Sequence, residues 1–152
     1  MSNPTPARTV PVLFTHRVRV YWEDTDAGGV VYHAQYLAFL ERARTEWLRA
    51  LGKDQQVLRE ESDLVFAVRA MQVEFRQPAR LDDALVVSVA LRRCGRASLV
   101  FAQAIERDGV RLLDASVRVG ALAASDFRPR AIPPPLYDEL KSLEMHNVED
   151  GA

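Results

Sequence analysis

Apolar residues recur along this chain with two periods, and the switches between them outline a fold. Val18, Val20 and Trp22 alternate with polar neighbours, which predicts a first strand over about Thr15 to Trp22. From about His33 to Leu51 the period lengthens. Tyr36, Leu37, Leu40, Ala43, Trp47, Leu48 and Leu51 fall on one helical stripe, wide enough to lie on a sheet. Glu41, Arg42, Arg44, Thr45, Glu46 and Arg49 make the polar side, and Gly52 is a natural stop. The polar stretch to Asp63 predicts a small helical turn or loop. Period two then returns: Ala67, Arg69, Met71, Val73 and Phe75 alternate with Val68, Ala70, Gln72, Glu74 and Arg76, until Pro78 and Asp82-Asp83 punctuate a turn. Leu85, Val87, Val89 and Leu91 predict the next strand, and Ser98 to Glu106 another. Asp108-Gly109 is a two-residue hairpin signal, followed by a last strand from Val110 to about Ala123. Pro129 and Pro133-Pro134-Pro135 end the sheet before a short terminal helix over about Leu136 to Met145.

One strand, one long helix and then four consecutive strands predict an α+β domain, with a curved antiparallel sheet wrapped around a central helix. The edges of such a sheet invite pairing, so an oligomer that continues the sheet is expected. The chain of 152 residues suits a single domain, and it shows no internal repeat and no linker. Residues 1–12, with three prolines, read as a flexible leader, residues 13–142 as the domain and residues 143–152 as a flexible tail.

Charge narrows the partners. Twenty basic side chains nearly balance 21 acidic ones, so no net field advertises nucleic acid or a membrane surface. Lysine occurs only at Lys53 and Lys141, so the basic side is almost all arginine. No apolar run reaches the roughly 18–20 residues of a membrane span. The single cysteine, Cys94, cannot form an internal disulfide and fits a reducing compartment, so a cytoplasmic location is expected.

The chemistry concentrates in V-Y-W-E-D-T-D-A-G-G-V-V-Y-H-A-Q-Y-L, Val20 to Leu37, between the first strand and the long helix. Glu23, Asp24 and Asp26 precede Gly28 and Gly29, which let the backbone turn tightly and approach another group closely. A carboxylate just ahead of the exposed N–H groups of a helix start suits attack on a carbonyl. The acid supplies the nucleophile or base, and the N–H groups hold the oxyanion. Asp26 is the leading candidate, with Asp24 and Glu23 as competitors; a cap on the turn or helix is the structural alternative for either aspartate. His33, at the helix start, has three readings: general base, hydrogen-bonding partner, or backbone N–H donor. No HxH, HExxH or CxxC spacing supports a metal site, and no histidine partner argues for an activated Cys94. Arg92, Arg93 and Arg96 lie at a turn, and Arg128 and Arg130 beyond the last strand. They suit either phosphate clamping on a long ligand or a solvated surface.

The run from Tyr21 to His33, Y-W-E-D-T-D-A-G-G-V-V-Y-H, resembles the signature of hotdog-fold acyl-CoA thioesterases. Within them it is most similar to the Tol–Pal-associated, YbgC-like branch, related to 4-hydroxybenzoyl-CoA thioesterase. The likeness continues through Glu41-Arg42-Ala43-Arg44-Thr45-Glu46, Phe66-Ala-Val-Arg, the Pro78 to Asp83 turn, Ser98-Leu-Val-Phe and Pro129 to Pro133. It implies a hotdog domain over 13–142, a dimer or tetramer with active sites between subunits, and hydrolysis of an acyl-CoA thioester. Coenzyme A would be part of the substrate, and no separate cofactor or metal is expected. By resemblance Asp26 is the catalytic acid and His33 supplies the N–H that polarises the carbonyl, with its side chain also implicated. Gly28, Gly29, Val31 and Tyr32 would line the substrate, and Arg96, Arg128 and Arg130 would meet the nucleotide and phosphates. Acyl carrier protein and lipid-synthesis enzymes are further partners in this reading. The alternative is a hotdog binding or scaffolding protein of the cell envelope with weak hydrolysis. Two positions depart from the usual pattern: Trp22, where a tyrosine is common, and Gln35, where asparagine or serine usually follows His-Ala.

Overall fold

The computed structural model describes residues 13–145; the leader 1–12 and the tail from 146 onward lie outside the described residues. Five strands form one antiparallel sheet: β1 (Leu13–Arg19), β2 (Leu64–Phe75), β3 (Ala84–Cys94), β4 (Ser98–Arg107) and β5 (Val110–Ala123), in the order β1-β3-β4-β5-β2. The consecutive strands β1 and β2 lie at opposite edges because two helices carry the chain between them. These are α1 (His33–Ala50), which packs on β1 and β3, and α2 (Gln55–Ser62), which packs on β2. A last helix, α3 (Pro134–Lys141), packs on β3. No helix among the described residues is long and apolar enough to cross a membrane.

The sheet is built as its periodicity predicts. Leu85, Val87, Val89 and Leu91 of β3 are buried in alternation, as are Leu99, Phe101 and Ile105 of β4. Asp108 and Gly109 take positive φ values of 51° and 79°, the twist a two-residue hairpin needs.

Four local expectations need correction. The first strand stops at Arg19 instead of Trp22, because Asp24 offers the backbone another partner. Its Oδ2 accepts the Tyr21 N–H (2.8 Å), and Trp22–Asp24 coil into a 3-10 turn. The buried face of α1 includes Phe39, which is 0% exposed, and leaves out Leu37 at 37%. In β2 a bulge between Val68 and Ala70 shifts the register, so Phe66 packs on the core before it and Met71 and Val73 after it. The chain also stays docked beyond residue 142. Leu143 is buried, Glu144 Oε2 accepts the Cys94 N–H (2.7 Å), and Met145 N–H donates to Leu91 O (2.8 Å).

Candidate active site

The segment from Val20 to Tyr32 is a loop tied down at both ends. Val20 exchanges backbone hydrogen bonds with the turn after β2, donating to Asp83 O and accepting from Asp82 N, both at 2.9 Å. Val31 N–H donates to Ala79 O (2.8 Å), and the buried Tyr36 hydroxyl accepts the Ala79 N–H (2.9 Å), so the turn buttresses both the loop and the first turns of α1. Tyr36 also meets Phe75 at 5.6 Å between ring centroids. Within the loop, Asp26 N–H donates to Val30 O (2.9 Å) and Gly29 N–H to Asp26 O (3.0 Å).

This geometry explains the glycines. Asp26 Oδ1 accepts the Gly28 N–H at 2.8 Å, and a Cβ on Gly28 would sit 3.2 Å from that oxygen. Gly29 has φ of +78°, a conformation costly to other residues. The Asp26 side chain is thereby aimed while its second oxygen keeps no protein partner among the described residues, and the residue is exposed.

Helix α1 opens with its donors free. Tyr32 stands at its N-cap with no side-chain cap, and among the described residues the His33 and Ala34 N–H groups meet no acceptor outside the helix. The His33 ring is exposed and lies against Tyr32, with centroids 4.5 Å apart. Asp24 is different from Asp26: it is 4% exposed, and its two oxygens take Tyr21 N–H and Gln35 Nε2, each at 2.8 Å. It faces inward and is not placed to attack a substrate.

The arginines lie elsewhere. Arg128 and Arg130 pair by backbone with Ala123 and Ala121, at the Leu64 end of β2, and Arg96 O accepts from Ile132 N–H (2.8 Å) in the same region. The Asp26 loop docks beyond the Phe75 end. At about 3.3 Å per residue, the strand between them spans on the order of 30 Å, so one chain does not bring these arginines to Asp26. Arg96 and Arg128 are exposed, whereas Arg130 turns inward, donating to Ser62 O (2.6 Å) and Asp63 O (3.3 Å) at the end of α2. We expect Arg130→Ala to lower stability by about 1–3 kcal/mol, as for a lost hydrogen bond to a charged group. Arg96→Ala, at an exposed position, should leave stability unchanged. Urea titration of both variants checks this.

A cavity of about 320 Å³ lies between the second half of α1 and the sheet, walled by Trp47, Phe66, Leu99, Phe101 and Val119, with Arg44 on its border. Arg44 donates to Gln103 Oε1 (2.8 Å), and Gln103, 4% exposed, donates to Leu40 O (3.1 Å). Burial lowers the Arg44 pKa, with nearby Glu41 opposing the shift. Sequence reasoning missed Gln103, although a glutamine in step with Leu99, Phe101 and Ile105 was a visible signal. Cys94 is buried and its thiol pKa is raised, first by burial and also by Glu144, against the pull of Lys141.

Comparison with known proteins bears on this arrangement. The model of the thioesterase superfamily matches residues 28–113, more than half of the chain. The acyl-CoA thioesterase YbgC of Haemophilus influenzae is 45% identical over 120 residues, covering 79% of this chain and 88% of that protein. The acyl-CoA thioester hydrolase YbgC of Escherichia coli O6:H1 is 48% identical over 130 residues, covering 85% and 96%. Among solved structures, a probable thioesterase from Bartonella henselae aligns with a TM-score of 0.76 at 35% identity, over 80% of this chain and 99% of that one. Identity at this level over most of the length leaves no other family in contention: the chain belongs to the thioesterase superfamily and is a thioester hydrolase of the hotdog fold.

Proposed function

We propose that this protein hydrolyses an acyl-CoA thioester to the free acid and coenzyme A. The reading rests on one observation above all: an exposed carboxylate, Asp26, oriented by Gly28 N–H in the loop that leads into the uncapped start of α1. The thioester carbonyl sits over that helix start. Its oxygen, gaining negative charge, is held by the His33 N–H, a preorganised donor of a kind that contributes about 3–4 kcal/mol to lowering the barrier. Asp26 either attacks the carbonyl carbon, giving a mixed anhydride that water then opens, or takes the proton from an attacking water. In both routes the C–S bond breaks and coenzyme A leaves as thiolate, a leaving group good enough to need no strong acid. Gly28, Gly29, Val31 and Tyr32 border the approach.

The active form is an oligomer. An antiparallel pairing of two β2 edges about a two-fold axis sets the Leu64 end of one strand beside the Phe75 end of the other. That carries the arginines of one copy, and its apolar cavity, towards the Asp26 loop of its partner. Arg96 and Arg128 then meet the phosphates of coenzyme A, and the acyl group enters the cavity beside Arg44. The exposed Val68 and Phe75 on the β2 edge support this pairing. A tetramer would add the opposite face of the sheet, where Ser88, Ala90, Ala102, Ala104 and Ser116 line a hollow of about 680 Å³ and let a second sheet come close. The buried, unpaired Cys94 fits a cytoplasmic setting.

A panel of short, long and aromatic acyl-CoAs, read by free-thiol release, tests the activity. We expect turnover of at least one class at a kcat of about 1 s⁻¹ or more. Thiol release no faster than the uncatalysed rate across the panel would remove the proposal.

A further inference from the structure

Gln35 has no part in the chemistry described so far, yet the structure gives its side chain a definite task. Its Nε2 donates to Asp24 Oδ1 at 2.8 Å from the third residue of α1. The same carboxylate accepts the Tyr21 N–H through Oδ2 (2.8 Å), while Asp24 O accepts the Tyr32 N–H (2.9 Å). One buried residue therefore joins three points: the exit from β1, the residue before the helix, and the helix's first turn. Asp26 lies two residues further along the chain, in the loop that these bonds close.

The chemistry of the link is as informative as its geometry. Asp24 is 4% exposed and makes no salt bridge among the described residues. A carboxylate taken out of water without a cation beside it depends on every hydrogen bond it receives. Two neutral donors hold it, the Tyr21 amide and the Gln35 side chain, with the positive end of the α1 dipole nearby. The backbone contact at Tyr32 sets how far the loop stands from the chain before the helix. The Gln35 amide ties the loop directly to the helix body, whereas Tyr36 does so through Ala79.

We propose that Gln35 is a positioning residue for thioester hydrolysis: through the Asp24 carboxylate it holds the Asp26 loop in register with the N–H groups that open α1. This rests on the assignment of Asp26 and the helix start as the reacting site. Misplacement of a reacting group by about 1 Å costs on the order of 100-fold in rate, so loosening this link acts on kcat and leaves KM for the acyl-CoA nearly unchanged.

The test is a double-substitution cycle. Gln35→Glu sets two carboxylates against each other where one now accepts from an amide, and kcat should fall on the order of 10- to 100-fold. Adding Asp24→Asn should bring kcat back to within a few-fold of the parent. The new asparagine NH₂ can donate to the glutamate, while its carbonyl oxygen still accepts the Tyr21 N–H. Gln35→Met, similar in length but without a donor, carries the test if Gln35→Glu does not fold; it should lose kcat with KM little changed, and its urea midpoint should fall because the buried carboxylate loses one of its two donors. Rescue of kcat in the double variant, measured where every variant is fully folded without urea, supports the proposal, because a merely structural role leaves the kcat of folded enzyme unchanged. A Gln35→Glu enzyme of unchanged kcat, or a double variant as slow as the single, overturns it. The coupling between positions 24 and 35 is read independently of Asp26→Asn, so a failed assignment of the attacking acid shows up separately.

Discussion

Asp26→Asn is expected to lower kcat for acyl-CoA hydrolysis on the order of 10³-fold, within the range that general-base or nucleophilic groups contribute, while the protein remains folded. The substitution keeps the local structure, since asparagine Oδ1 can still accept the Gly28 N–H that now binds Asp26 Oδ1. What it removes is the negative charge and basicity of the second oxygen. The side chain is exposed, and surface changes of this kind shift stability by no more than about 0.5 kcal/mol, so thermal unfolding and gel filtration should match the parent. Free-thiol release under saturating substrate measures the loss. An enzyme of near-parental rate would send the search to Glu41 and Glu23; Asp24 is not a substitute, because both of its oxygens are occupied inside the fold. Single turnover in ¹⁸O-labelled water tests for the covalent route. Label entering the Asp26 carboxylate marks a mixed anhydride opened at the aspartyl carbon, whereas label confined to the product acid places the attack of water on the acyl carbon.

Phe39→Ala is the substitution expected to cost most stability, about 3–5 kcal/mol, a large part of the roughly 5–15 kcal/mol that holds a domain folded. Phe39 is 0% exposed, lies edge-on to Tyr36 with centroids 6.4 Å apart, and carries the Arg42 guanidinium 6.0 Å from its ring centre. Removing the ring leaves a void under the first turns of α1, beside the ring of Tyr36, whose hydroxyl anchors Ala79 and with it the Asp26 loop. The urea midpoint should drop with the slope unchanged. Leu37→Ala, at a position 37% exposed, should shift the midpoint far less. Equal losses from the two would mean that α1 sits on the sheet by the face read from its apolar stripe and not by the one described here.

The element order, the hairpin at Asp108-Gly109 and the tight loop at Gly28-Gly29 were legible in the residues alone. Each depends on local physics: the two periods of apolar residues, the left-handed backbone that Asp-Gly tolerates, and the positive φ that Gly29 takes. Other features were decided only by the tertiary structure, because they depend on which surfaces meet. Leu37 and Phe39 are both apolar, and the packing of α1 on β1 and β3 decides which of them is buried. The bulge at Val68–Ala70 leaves no trace in an alternating run, since both faces of an edge strand carry apolar residues. Among the acids of the loop, Asp24 and Asp26 are equivalent as letters. Folding separates them: it buries Asp24 against Tyr21 and Gln35 and leaves Asp26 exposed in the loop before α1. One of the two bonds that make that difference, Gln35 to Asp24, forms across 11 residues of sequence, and no local pattern encodes it.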